Sequence, residues 1–266
     1  MAVSVGAFYH PHLARETLDL AGFIAHLAMA DPPRADDAFF PAIRSRFTLL
    51  LHDFLGQLSE PVGDSALDRA RRLVALYDPP WVAEHLQRIH TTSGDAFVDY
   101  VFPPAYTDDL LADYVRNARA LQAALGRPLI LEPIPTYLRL DVPQLDEAAF
   151  VGRFVAESGC GLLLDVSHAW LSAHYAGRPP RDFVATLPLE RVVELHVAGV
   201  EADQDLDGPW IGAAVPTPEL LDLAAFAAER APGLRAVTFD AFSSAMTAET
   251  LRAGVHAIRA RLGLPA

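Results

Sequence analysis

Short aliphatic and β-branched runs alternate with longer stretches of helical periodicity along nearly the whole chain, and few architectures accommodate that alternation. Strands are expected at 3–6, 23–28, 47–52, 81–85, 128–132, 161–165, 192–198 and 236–240. Eight such runs separated by amphipathic segments are the pattern of parallel βα units closing into a TIM-type (β/α)8 barrel. The helical segments carry their own punctuation. Thr107 opens one that ends at Leu125-Gly126-Arg127-Pro128, while Asp146 and Thr247 open, and Gly159 and Gly263 close, two more. The 266 residues suit one such barrel, and no Pro/Gly/Ser-rich linker or internal repeat beyond the βα alternation interrupts them. Residues 1–266 therefore read as a single domain. The longest stretches with no regular signal, 86–106 and 199–218, follow strands and read as irregular loops on the rim of the barrel.

Composition removes several classes of function. Hydrophobic residues make up 52% and charged residues 21%, which is ordinary globular usage. No apolar run reaches the roughly 18 residues of a membrane span, and the N-terminal segment lacks a basic stretch followed by an apolar one. A cytoplasmic protein without membrane contact is expected. The net charge of −13, without a Lys/Arg stripe, argues against nucleic acid as a partner. Cys160 is the sole cysteine, so an intrachain disulfide is impossible and any metal must be held by nitrogen and oxygen. It precedes the sixth strand, away from the carboxyl ends, which disfavours a nucleophilic thiol.

In β/α barrels the reactive groups come from the carboxyl ends of the strands, because those ends converge on one mouth. Here the third strand ends on His52, the fourth on Glu84-His85, the fifth on Glu132, the sixth on Asp165, the seventh on His196 and the eighth on Asp240. Any one of these has a plain structural reading, since an Asp or Glu at such a place often caps the next helix and a His is often hydrogen-bonded core. Together they would concentrate negative charge in a low-dielectric pocket, at a cost that a cation relieves. Imidazole with carboxylate suits iron, manganese or zinc better than calcium. Glu84 and His85 point to opposite faces of one strand, so alternation admits only one of them to the barrel. His10-Pro-His12 after the first strand could extend the site, although such pairs are more often exposed. A Walker A loop, GxGxxG, GxSxG and HExxH are all absent.

These residues carry a resemblance. Leu51-His52, Val82-Ala-Glu-His-Leu86, Phe102-Pro-Pro, Leu131-Glu132-Pro-Ile-Pro-Thr-Tyr137, Gly159-Cys-Gly-Leu-Leu-Leu-Asp-Val166 and Glu194-Leu-His-Val-Ala-Gly199 resemble the DUF692 family of multinuclear non-haem iron-dependent oxidative enzymes. The resemblance implies a xylose-isomerase-like TIM barrel that activates oxygen at two or three irons and oxidises cysteine-containing ribosomal peptides, commonly with a small partner protein presenting the peptide. It also implies that His52, His85, Glu132, Asp165, His196 and the acidic residue of the eighth strand are metal ligands. The chain departs from the family pattern at Pro133, at Ser167-His168, at Val200, at Asp207-Gly-Pro209 and at Phe239-Asp240. Valine and proline offer no side-chain lone pair, whereas His168 is a substitute imidazole and Asp240 a displaced carboxylate. The expected metal set is thus His52, His85, Glu132, Asp165, His168, His196 and Asp240, holding one or two ions, iron first and manganese or zinc as alternatives.

The reading that follows is a non-haem iron oxidase or oxygenase acting on a peptide or small natural product. A metal-dependent isomerase, epimerase or hydrolase on the same barrel is the second reading. A degenerate barrel serving as a binding or scaffold subunit is the third. The residues do not say which side chain would be catalytic beyond the metal set.

Overall fold

The computed structural model describes residues 3–30, 37–52, 55, 58–90, 97–137, 144–202 and 208–264. Eight parallel strands close a ring: β1 (Ser4–Phe8), β2 (His26–Met29), β3 (Thr48–His52), β4 (Val82–Leu86), β5 (Leu129–Pro133), β6 (Gly161–Asp165), β7 (Val192–Val197) and β8 (Ala236–Phe239). Each strand pairs with its chain neighbours and β8 pairs back onto β1, so spatial order follows chain order. This is the expected (β/α)8 barrel.

Alternation along the strands sorts side chains into two cores. Leu50, Trp81, Ala83, Ile130, Leu163 and Ala236 form a small apolar cluster of their own, filling the barrel interior. The opposite parity, including Leu49, Leu51, Val82, Leu129, Leu131, Leu162, Leu164, Leu195, Val237 and Phe239, belongs to a large cluster packed beneath the helices. The consequence for function is direct. Two residues beyond the interior plug, each strand presents its inward side chain at the mouth.

The helices start and stop where their caps dictate. Thr107, Asp146 and Thr247 each accept a hydrogen bond from a first-turn amide, and the helices Asp108–Leu125, Glu147–Ser158 and Ala248–Leu262 each end on a left-handed glycine. Pro218–Ala228 begins the same way, at Thr217.

Two expectations need correction. The second strand is confined to His26–Met29, because Gly22 (φ 92°) and the bonds from the Phe23 and Ile24 amides to the Leu20 carbonyl fold the preceding residues into a turn. The two stretches read as irregular loops contain antiparallel hairpins, Arg88–His90 with Phe97–Phe102 and Gly199–Ala202 with Pro209–Gly212. Their strands are short and pair outside the barrel, so neither length nor alternation announced them.

Candidate metal centre

Glu132 is the hub of the mouth. It stands at the end of β5, fully buried, with four imidazoles around its carboxylate. His52 Nε2 lies 2.6 Å and His85 Nε2 3.2 Å from Oε2, His168 Nδ1 lies 3.1 Å from Oε1, and His196 Nδ1 lies 3.8 Å from Oε2. Burial would push this carboxyl up, but the neighbouring imidazoles of His85, His196, His168 and His52 hold it well below the usual range. It is therefore a carboxylate.

Asp165 ends β6 and begins the helix Val166–Tyr175. Its Oδ1 accepts from the amides of Ser167 (2.6 Å) and His168 (3.0 Å), which is the capping role open to any acid at that place. Its Oδ2 is buried with no hydrogen-bond partner. One oxygen thus caps while the other is left for the mouth. Burial raises the Asp165 pKa, with His168 and His196 pulling the other way. His168 sits in the first helical turn. Burial would lower its pKa, yet Asp165 and Glu132 beside it hold it above the ordinary value.

The eighth strand answers the question of parity. Ala236 and Thr238 face inward, so Asp240 shares their direction, while Phe239 turns outward against Gly254 of the final helix. Asp240 Oδ2 lies 3.3 Å from His196 Nδ1. Burial alone would push the Asp240 carboxyl up; His196 holds it down. The same contact, with Glu132, raises the His196 pKa well above normal despite the burial that works against it.

All seven residues of the expected set therefore meet at one mouth. Among the described residues three groups place donor atoms within 4.8 Å of one another: His52, His85 and Glu132; Glu132, Asp165 and His168; Asp165, His196 and Asp240. Glu132 belongs to the first two groups and Asp165 to the last two. Besides Asp165 Oδ2, Glu132 Oε1, His196 Nδ1 and Asp240 Oδ1 are buried without a hydrogen-bond partner. Leaving each such atom unmatched costs roughly 1–3 kcal/mol, so four of them around one space are a donor set that a divalent cation fits.

Other candidates fall away. Glu84 is fully buried on the outward face of β4 and accepts the Leu55 amide at 2.7 Å, which leaves His85 as the residue of that pair at the mouth. His10 is buried, its pKa lowered to about 4 by burial and by His12, and its ring packs edge-on against Phe8 and His12; neither histidine joins a donor group. Cys160 is buried, and burial pushes its thiol up to about 11. Val200 and Pro209 lie in the rim hairpin and offer no donor, while Asp207 lies outside the described residues.

A layer the motif reading missed lies just below. Glu194, His26, Thr238 and Trp81 are all buried inside the barrel and hydrogen-bonded to one another through Glu194 and Thr238. The signal was present: Glu194 and Thr238 stand two residues before His196 and Asp240, on the same inward parity.

A closed barrel of eight parallel strands with imidazoles and carboxylates at its carboxyl-end mouth is a TIM barrel, and solved xylose-isomerase-like TIM barrels superpose on it. D-allulose 3-epimerase from Methylomonas sp. covers 98% of this chain and 100% of its own, at TM-score 0.61 and 14% identity. A xylose isomerase-like TIM barrel protein from Mycobacterium smegmatis, in complex with magnesium, covers 98% of each chain, at TM-score 0.60 and 13% identity. At such identities the likeness is one of fold. The family follows from sequence: residues 9–235 match the model of the RiPP precursor modification enzyme MbnB/TglH/ChrH, and the chain belongs to that family. Curated relatives include a UPF0276 protein of Bordetella pertussis, 31% identical over 206 residues (75% of this chain, 70% of that one). Another, from Rhizobium meliloti, is 30% identical over 212 residues (76% and 67%). No helix among the described residues is long and apolar enough to cross a membrane.

Proposed function

We propose that this chain is a non-haem iron-dependent oxidase or oxygenase that modifies a peptide or small natural product, at one or two irons held by His52, His85, Glu132, Asp165, His168, His196 and Asp240. The observation that carries the reading is the convergence of unmatched buried donors on Glu132 and Asp165, the two carboxylates shared between adjacent donor groups. Seven side chains divided over two ions leave about three or four protein donors each, so positions remain open for oxygen and substrate. Iron, when bound, supplies the electrons for oxygen chemistry.

The chain's own residues supply the rest. Glu132, accepting from His52 and facing three more imidazoles, fixes the relative orientation of four rings. Asp165 is held rigid by the two amides it caps, so its outer oxygen is aimed before any ligand arrives. The apolar plug of Leu50, Ala83, Ile130 and Leu163 closes the floor and keeps water from entering from below. Membership of a family of RiPP precursor modification enzymes supports a peptide substrate, and a small partner protein is proposed to present it at the mouth.

Anaerobic purification with elemental analysis and Mössbauer spectroscopy tests this. The expected result is one or two irons per chain and oxygen consumption with substrate. Three stoichiometric irons would overturn the reduced count. A protein that takes up manganese or zinc and consumes no oxygen is the isomerase or hydrolase of the second reading, and one that cannot be reconstituted with any metal is the scaffold. Asp240→Ala should lower bound metal with the fold intact by circular dichroism; unchanged metal content removes Asp240 from the set.

A further inference from the structure

Beneath the mouth, a chain of hydrogen bonds crosses the barrel interior and its polarity can be read from the donors. Trp81 Nε1 can only donate, and it donates to Glu194 Oε2 at 2.8 Å. Thr238 Oγ1 donates to Glu194 Oε1 at 2.7 Å. The Thr238 oxygen then accepts from His26 Nε2 at 2.9 Å, which leaves His26 Nδ1 to accept from Ser4 Oγ, also at 2.9 Å. Apart from a longer contact of the Ser4 hydroxyl with the Arg235 carbonyl at 3.2 Å, these bonds run toward Glu194. The third contact on this carboxylate is His196 Nε2, 3.1 Å from Oε1.

A carboxylate already surrounded by donors accepts from its remaining neighbour, so the proton of His196 belongs on Nε2. Nδ1 is then the atom that can give up its proton in favour of a metal, and it faces the mouth, where it is buried, has no hydrogen-bond partner and lies 3.3 Å from Asp240 Oδ2 and 3.8 Å from Glu132 Oε2. We infer that Glu194 is a positioning residue that fixes the tautomer and ring orientation of His196, making Nδ1 its metal-binding atom, and that Trp81 and Thr238 hold Glu194 in that role. This rests on the metal-centre reading above. Carboxylate partners of ligating histidines are worth roughly 10–100-fold in metal affinity.

Glu194→Gln meets a conflict that follows from the geometry. If its amide oxygen faces His196 and Thr238, its NH2 faces the Trp81 indole N–H, donor against donor. If it turns over, the same clash falls on His196. Removing the indole N–H should therefore relieve the first arrangement.

The test uses the full chain with Zn2+ as a diamagnetic probe. In [15N]histidine-labelled protein, long-range 1H–15N correlation should show His196 protonated at Nε2 and metal-bound at Nδ1. Competition against a chromophoric chelator should show Glu194→Gln binding Zn2+ roughly 10–100-fold more weakly, with Trp81→Phe/Glu194→Gln recovering much of that loss. Zn2+ bound through Nε2, Glu194→Gln within twofold of wild type, or a double variant no better than Glu194→Gln would each overturn the assignment. Should Glu194→Gln fail to fold, the wild-type spectrum still decides. A wild-type protein that binds no Zn2+ overturns the metal-centre reading as well, whereas Zn2+ held through Nε2 overturns the positioning role alone.

Discussion

Glu147 is a residue whose protonation the fold controls plainly outside the proposed metal set. It opens the helix Glu147–Ser158 with 9% of its surface exposed, and Thr136 Oγ1 donates to its Oε2 at 2.9 Å. Burial pushes its pKa up to about 7 from 4.5, only partly opposed by the bond from Thr136. The native state therefore keeps a proton that the unfolded chain has released between about pH 4.5 and pH 7. Stability must fall as pH rises through that window, by about 3 kcal/mol from this group at roughly 1.4 kcal/mol per unit. Glu147→Gln removes the fall. In urea titrations of metal-free protein, the variant should match wild type near pH 4.5 and exceed it by up to about 3 kcal/mol at pH 8.5. Parallel curves would show that Glu147 ionises normally.

At the scale of the strand, β1 contributes an absence. Gly6 lies between His26 and Thr238 in register, and a Cβ there would stand 2.2 Å from the His26 carbonyl oxygen and 2.5 Å from its Nε2. The missing side chain is what lets the His26 ring reach across β1 to Thr238 on β8. Gly6→Ala must displace both backbone and ring, so an overpacking cost of about 3 kcal/mol is expected. The measurable outcome is a lower thermal midpoint together with weaker Zn2+ binding, because Thr238 steadies Glu194. A variant as stable as wild type would mean that β1 shifts freely, which the closed ring does not allow.

For the molecule as a whole, the proposed metal would compete with protons for the same atoms. Burial works against a charge on His168 and His196, but Asp165 and Glu132, and Asp240 and Glu132, raise their pKa values in the metal-free protein. Groups raised in the folded state contribute stability that is fully present below their unfolded pKa of about 6.5 and is lost as pH rises through the folded value. A bound cation takes over the role of those protons and favours the deprotonated rings. The thermal midpoint of the metal-loaded protein should therefore exceed that of the chelator-treated protein by a margin that widens from pH 6 to pH 8.5. Free metal at a hundred times its Kd adds about 2.7 kcal/mol. A margin constant across that range would show that no proton is displaced.

Much of this was legible along the chain because two periods write themselves into sequence: apolar runs with turn signals for strands, and caps with glycine stops such as Thr107 to Gly126 for helices. Strand ends are local as well, so His52, His85, Glu132, Asp165 and His196 could be read as neighbours once the barrel was inferred. What the linear order could not carry is relation between strands. That Asp240 rather than Phe239 faces inward depends on the register of β8 against β7, where Thr238 pairs with His196. That His85 enters while Glu84 turns to the Leu55 amide depends on which face of β4 the ring encloses. The Glu194 network joins residues from β1, β2, β7 and β8 with Trp81 beside β4. Its members, Ser4 to Thr238, lie at opposite ends of the chain, and only closure of the barrel puts their hydrogen bonds within reach.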